Sequence, residues 1–206
     1  MTNFNSNFSN DECMGVLLAG GLSSRMGQDK AKLRHNTTDM LNFSKQLLIK
    51  SGINNIIVSG DQYDIPDKIK QCGPVGGIYS VLSRFPLTKS LLILPVDLPF
   101  MSAEVLKKLR ISGELSQKAT YFKKHNIPLY LPNSTYVELF FSNVFSKNLE
   151  NNSDEISGKT TKKNGPSIKA LLQQVPHQAI QVDDEKALFN TNTPEQWQQA
   201  VKQFSV

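Results

Sequence analysis

The sequence predicts an α/β fold in which a mostly parallel sheet carries helices on both faces. Two observations support this. Three short apolar runs, at 15–19, 54–59 and 91–96, are bounded by turn residues, as expected of strands buried on both sides. Helical patterns lie between these runs, and repeated strand–helix order implies right-handed crossovers between parallel strands.

Residues 1–13 lack apolar periodicity and read as a disordered tail, with the fold starting at Gly15 and residues 14–206 forming one domain. The run Gly15-Val-Leu-Leu-Ala19 is the first strand and ends in Gly20-Gly21. A helix follows over Met40 to Lys50, with Met40, Leu41, Leu47 and Leu48 on one face and Gly52 as its stop. The second strand is 54–59. Ile78 to Leu82 starts a helix after a pair of glycines, and 91–96 is the third strand. Ser102 caps a helix over 102–110 that has Glu104 in its first turn and Val105, Leu106 and Leu109 facing inward.

The second half is less regular. Lys118 to Phe122 and Ile127 to Leu131 predict a hairpin around His125-Asn126. Ser134 caps a helix with Val137, Phe140, Phe141 and Val144 at helical spacing. Lys147 to Gly165 is polar and reads mostly as a mobile surface loop. Ser167 caps a further helix with Ile168, Leu171, Leu172 and Val175 inside, and 179–182 is a short strand. Thr193-Pro194-Glu195-Gln196 combines an N-cap, a proline at the first helical position and a capping-box glutamine. Trp197, Val201 and Phe204 then follow on the core stripe.

Composition narrows the class. The chain has 206 residues, 39% hydrophobic and 20% charged, enough to bury a core. No run of about 18 apolar residues is present, so no membrane partner is expected. The Asn- and Ser-rich N-terminus lacks the apolar stretch of a secretory signal. Cys13 and Cys72 are too few for a disulfide scaffold or a four-cysteine zinc site, which predicts a reducing cytoplasm. The net charge of +5 suits an anionic ligand and is too mild to demand nucleic acid. His35, His125 and His177 show no metal spacing, and no Gly-x-Ser-x-Gly elbow occurs, so zinc chemistry and acyl transfer are unsupported.

Four segments carry candidate chemistry. The first is Leu18-Ala-Gly-Gly-Leu-Ser-Ser-Arg-Met-Gly-Gln-Asp-Lys30, directly after the first strand. Its glycine pair lets backbone N–H groups approach a phosphate, and Arg25 and Lys30 add two cations. It is neither a P-loop nor Gly-x-Gly-x-x-Gly, but it sits where open α/β sheets bind ligands. The second is Leu94-Pro-Val-Asp97-Leu-Pro99. A carboxylate at the end of so apolar a strand costs free energy unless a cation binds it. Mg²⁺ with a nucleotide polyphosphate is the obvious partner. In the third, Asp67 precedes Gly73-Pro74 and Gly76-Gly77, and the paired glycines offer N–H groups at a helix start, or a plain turn. In the fourth, Phe189-Asn-Thr-Asn-Thr-Pro194, Asn190 and Asn192 alternate, so in an extended segment both point to one side. Their amides suit a heteroaromatic ring, or their own backbone.

Together these motifs resemble the molybdenum cofactor guanylyltransferase family, over Val16 to about Trp197. The family's LAGG and R-M-G-x-D-K are similar to Leu18-Ala-Gly-Gly, Arg25-Met-Gly and Asp29-Lys30. Its Asp before GP-x-x-G is similar to Asp67 before Gly73-Pro74 and Gly77, its P-x-D-x-P to 95–99, and its late F-x-N-x-N-T-P to 189–194.

The resemblance implies a three-layer α/β/α, Rossmann-like nucleotidyltransferase with a mostly parallel central sheet. The implied reaction transfers GMP from GTP to the phosphate of molybdopterin and releases pyrophosphate. It further implies that Leu18, Ala19, Gly20, Gly21, Lys30 and Asp67 bind GTP and that Asp97 binds Mg²⁺. Arg25, Asn190 and Asn192 lie toward the pterin, and Arg25, Lys30 and Asp97 form the catalytic set. Ser59 stands at the nucleotide position where the family often has Asn.

Implied protein partners are those that deliver molybdopterin or accept the finished cofactor. Two further departures are visible. Arg34 to Met40 lacks the family's Gly-x-Pro-Leu, and Lys162 and Lys163 stand where an Arg is common near the helix after Ser167. The segment 147–165, with Lys159, Lys162 and Lys163, is expected to order over the pterin phosphate or the delivering partner. Transfer of another nucleotide such as CMP, a sugar-phosphate acceptor, or a silent nucleotide-binding regulator are the alternatives.

Overall fold

The structure is a computed structural model. It describes residues 13–20, 29–150 (for 146–150 the backbone alone) and 165–204. The chain runs β1 (Cys13–Leu18), a 3₁₀ turn (Lys30–Lys32), β2 (Arg34–His35), β3 (Thr38–Asp39), α1 (Met40–Lys50), β4 (Ile56–Ser59), α2 (Gly73–Arg84), β5 (Ser90–Pro95) and α3 (Ala103–Ser116). It continues through β6 (Ala119–Phe122), β7 (Leu129–Pro132), α4 (Thr135–Glu150), α5 (Ile168–Leu172), β8 (His177–Ile180), a second 3₁₀ turn (Glu185–Leu188) and α6 (Pro194–Phe204).

Six strands form one sheet in the order β4-β1-β5-β7-β6-β8. β4, β1 and β5 are parallel, β7 is antiparallel to both β5 and β6, and β8 is parallel to β6. β7 alone in this sheet therefore runs against the rest, because the hairpin read at 118–131 supplies it. β1 begins at Cys13, which pairs with Ser90, so the last residue of the expected tail belongs to the sheet.

The central strands are buried on both faces by strict alternation. Val16, Leu91 and Ile93 pack beneath α2, α4 and α5 with Val75, Ile78, Phe140, Phe141 and Leu171. Leu17, Leu92 and Leu94 face the opposite way, against Leu47 and Leu48 of α1 and Leu106 and Leu109 of α3. The result is the expected three-layer α/β/α arrangement, held by apolar burial of about 25 cal/mol per Å².

Several helix expectations change at their ends. α1 matches its predicted span, and its missing Gly-x-Pro-Leu is replaced by the β2–β3 hairpin, which turns at Asn36 with φ 52. Asp39 then caps α1 by accepting from Asn42 N at 2.7 Å. α2 begins at Gly73, so Gly76 and Gly77 lie inside the helix rather than before it. α3 keeps its Ser102 cap but continues to Ser116, beyond the predicted Arg110. α4 extends to Glu150, so Lys147–Glu150 are helical and not loop. Lys159, Lys162 and Lys163 lie outside the described residues. Ser167 caps α5 as read, accepting from Ala170 N at 3.1 Å. In α6 Ala200 is buried and Val201 is exposed, so the inward stripe is offset by one residue.

Candidate active site

β1, β4 and β5 end in register, with Leu18 paired to both Ser59 and Pro95. Their carboxyl ends thus form one rim, and the segments after them meet there. Gly20 and Gly60 pass so closely that a Cβ on Gly20 would stand 3.2 Å from Gly60 Cα. Ala19 N and Gly20 N both donate to the Ser59 carbonyl, at 2.9 and 3.1 Å. This corrects one expectation. These two N–H groups are not bare phosphate donors, because they stitch the β1 and β4 exits together. A side chain at position 20 would crowd the Gly60 backbone. Gly21 and Arg25 lie outside the described residues.

Ser59 is buried, and a Cβ on Gly77 would stand 2.7 Å from its Oγ. The Gly76-Gly77 pair therefore serves close packing, and the Ser59 side chain is covered by α2 rather than opened to the rim. Gly76 is tight in the same way against Cys72 Cβ, at 2.7 Å.

Asp29 caps the turn Lys30–Lys32, its Oδ1 accepting from Ala31 N at 3.0 Å. Lys30 reaches from this turn to two partners separated widely in sequence. Its Nζ donates to Asp97 Oδ2 at 2.9 Å and to Asn192 Oδ1 at 2.8 Å. The ion pair is mostly shielded, with side-chain exposures of 18% for Lys30 and 14% for Asp97, so solvent weakens it less than a surface pair.

Asp97 follows β5, and its backbone carbonyl accepts from Thr191 N at 3.0 Å and Thr191 Oγ1 at 3.2 Å. Thr191 is fully buried, while its neighbours Asn190 and Asn192 are exposed, which is the alternation expected of that segment. The capping box also forms. Gln196 Oε1 accepts from Asn192 N and Thr193 N at 2.7 and 3.2 Å, and Gln196 N donates to Thr193 Oγ1 at 3.3 Å.

Asp67 sits half-buried on the other side of the rim, its Oδ2 within 3.9 Å of where a Gly20 Cβ would lie. Burial, reinforced by the Asp61 carboxylate, raises its pKa above the ordinary carboxylate range, and Lys70 offsets this only in part. Lys70 is paired with Asp61. The Asp67 carboxylate is thus held at an energetic disadvantage that a hydroxyl or amide donor from a ligand would relieve.

Asp97 is the metal candidate, and one observation tests it. Asp97 Oδ1 is buried and has no hydrogen-bond partner among the described residues. A buried carboxylate oxygen without a donor costs about 1–3 kcal/mol, and a hard cation on that oxygen removes the penalty. Among the described residues no group of three or more His, Cys, Asp or Glu could hold a metal. With Asp97 as a single carboxylate ligand, a metal there would leave positions for phosphate oxygens and water, the donors that suit Mg²⁺ in nucleotide sites. The donor set fits.

Sequence reasoning missed three contributors. Tyr63, whose hydroxyl donates to Asp29 Oδ2 at 2.6 Å, had no periodic or motif signal. Thr191 was passed over between the two asparagines. Asp61 was not linked to Asp67, although its Oδ1 accepts from Asp67 N at 3.2 Å.

Comparison with known proteins settles the family. The model of the MobA-like NTP transferase domain matches residues 15–142. This chain belongs to that family. A molybdenum cofactor guanylyltransferase of Xanthomonas euvesicatoria is 31% identical over 192 residues, covering 91% of this chain and 93% of its own length. A probable molybdenum cofactor guanylyltransferase of Flavobacterium johnsoniae is 27% identical, covering 85% of this chain and 88% of itself. The crystal structure of molybdopterin-guanine dinucleotide biosynthesis protein A from Archaeoglobus fulgidus shares the fold, with a TM-score of 0.68 at 19% identity over 93% of this chain and 98% of that one. The MobA-like family match ends before Asn190, so the third side chain of the Lys30–Asp97–Asn192 cluster comes from beyond the matched domain. No described helix is long and apolar enough to cross a membrane.

Proposed function

We propose that this MobA-like NTP transferase moves GMP from GTP to the phosphate of molybdopterin and releases pyrophosphate, within molybdopterin guanine dinucleotide synthesis. The single observation that carries the reading is Asp97, with one oxygen on Lys30 and the other buried and unpartnered, at the rim where three parallel strands end. The names of the relatives supply the substrates.

Transfer between phosphates asks for positioning and charge neutralisation more than for covalent work by the protein. A pterin phosphate oxygen attacks the α-phosphorus of GTP, the bond to the β-phosphate oxygen breaks, and pyrophosphate leaves. The attacking phosphate is already ionised, so no side chain has to remove a proton. Lys30 aims its ammonium at the phosphates, and Asp97 holds Mg²⁺. Bound there, Mg²⁺ supplies Lewis-acid stabilisation of the charge that builds on the phosphate oxygens.

Asp67 accepts from the nucleoside, a role supported by its half-buried place at the rim beside Gly20. Gly20, exposed and without a side chain, keeps the rim open beside it. Leu18, Ala19 and Ser59 contribute through backbone at that wall. Asn190 and Asn192, both exposed on the same segment, serve the pterin.

Residues 14–206 act as one transferase domain, with delivering and accepting proteins as further partners. Both cysteines are free thiols, which supports a reducing, cytoplasmic setting. Pyrophosphate release tests the reading, measured with GTP, CTP, ATP and UTP, each with and without molybdopterin. GTP alone should support release, and only with the acceptor present. Equal release with CTP, or none with GTP, refutes the proposal.

A further inference from the structure

Tyr63 has no part in the chemistry above, yet it is tied firmly to it. Its hydroxyl donates to Asp29 Oδ2 at 2.6 Å, a short bond to a carboxylate. The other oxygen, Oδ1, accepts from Ala31 N at 3.0 Å, and the Asp29 carbonyl accepts from Lys32 N at 3.1 Å. Asp29 thus caps the turn that carries Lys30 on one side and is anchored across the rim on the other.

The anchor is itself rigid. Tyr63 N donates to Gly60 O at 3.0 Å, and Gly60 N donates to Ile65 O at 2.9 Å. Ile65 N donates to Val58 O at 3.1 Å, and Asp64 Oδ2 accepts from Val58 N at 2.9 Å. The Tyr63 ring packs on Gly60, where a Cβ would meet its Cδ2 at 3.0 Å. Four hydrogen bonds and a ring contact therefore fix the β4 exit turn as a post.

Lys30 has a flexible four-carbon stem, and its ammonium reaches Asp97 and Asn192 only from a turn held in place. We propose that Tyr63 is a positioning residue for Lys30, acting through Asp29 to aim the ammonium at the nucleotide phosphates. The inference rests on the reading of Lys30 as the phosphate cation. Burial and the Asp29 bond both push the phenol pKa up, so the donor persists through the neutral and mildly alkaline range.

Two variants act on the bond from opposite sides. Tyr63→Phe removes it and keeps the ring on Gly60. Asp29→Asn keeps an acceptor for the Ala31 N–H and leaves at most a neutral bond, from the amide to the phenol oxygen, in place of the charge-assisted one. Calorimetry with GTP and Mg²⁺ is run on both, on Lys30→Ala, and on each combined with Lys30→Ala. Each single variant should weaken GTP binding about three- to tenfold, as loss of a bond to a charged group does when felt indirectly. In the Lys30→Ala background each should add less than about twofold, because coupled residues are not additive.

A merely structural role would lower the melting temperature and leave the two losses additive. Unchanged GTP binding in Tyr63→Phe, or a loss that persists without Lys30, overturns the inference while leaving the transferase reading intact. Wild-type protein that fails to bind GTP overturns both.

Discussion

Asp97→Asn separates catalytic from structural need most sharply. In the wild type, Oδ2 takes the Lys30 ammonium at 2.9 Å and Oδ1 is buried without a partner. A carboxamide of the same shape can keep its oxygen on Lys30 and place its NH₂ where Oδ1 was. One unsatisfied polar atom then replaces another, so that side of the exchange is nearly even. What is lost is the difference between a charge-assisted bond and a neutral one, about 1 kcal/mol. For a domain of this size that lowers Tm by about 2–4 °C. The Asp97 carbonyl bonds to Thr191 are backbone and survive. Turnover, by contrast, loses the carboxylate proposed to hold the metal and should fall about 10²–10³-fold. The paired assays are thermal melting and pyrophosphate release with GTP and molybdopterin, alongside Mn²⁺ titration in the presence of GTP, which should show weakened metal binding. A rate within a few-fold of wild type would show that Asp97 is structural. A collapse of Tm would show that the ion pair with Lys30, rather than the metal, is its purpose.

Two further outcomes are expected. Asn192→Ala removes an acceptor from the Lys30 ammonium, so it should weaken GTP binding by up to about fivefold and raise the Michaelis constant for molybdopterin more strongly. GTP affinity equal to wild type would place Asn192 wholly on the acceptor side. Asp67→Asn tests the raised pKa. A carboxyl whose folded pKa lies above its unfolded value favours the fold at low pH, and that favour is lost as pH rises through the folded pKa. The variant should therefore be more stable than wild type at pH 7 and equal to it near pH 3, while binding GTP less tightly. Melting curves across that range check the first expectation and calorimetry the second. A stability difference of the same size at both pH values would remove burial as the cause.

Much of this protein was legible from local pattern. Apolar runs of strand length located β1, β4 and β5, because a strand covered on both faces has no polar positions to hide it. Ser102, Ser167 and the Thr193–Gln196 box located helix starts, since a cap needs only residues three or four apart. Asp97 stood out because a carboxylate at the end of an all-apolar strand has to be explained. The alternation of Asn190 and Asn192 followed from the two-residue period of an extended segment, although the burial of Thr191 between them carried no signal.

Only the tertiary structure decided which distant groups meet. Lys30, Asp97 and Asn192 converge because β1 and β5 end in register and Thr191 bonds the Asp97 carbonyl just beyond β5. No spacing along the chain encodes that meeting. It also decided that the Ala19 and Gly20 N–H groups are spent on Ser59, that Gly77 serves packing, and that Tyr63 anchors Asp29. The physical reason is common to all of them. Local hydrogen bonds and periodic burial depend on residues a few positions apart and leave a mark in sequence. Close approaches between backbones and bonds across a rim depend on how whole strands are placed, and single residues such as Tyr63 carry no trace of it.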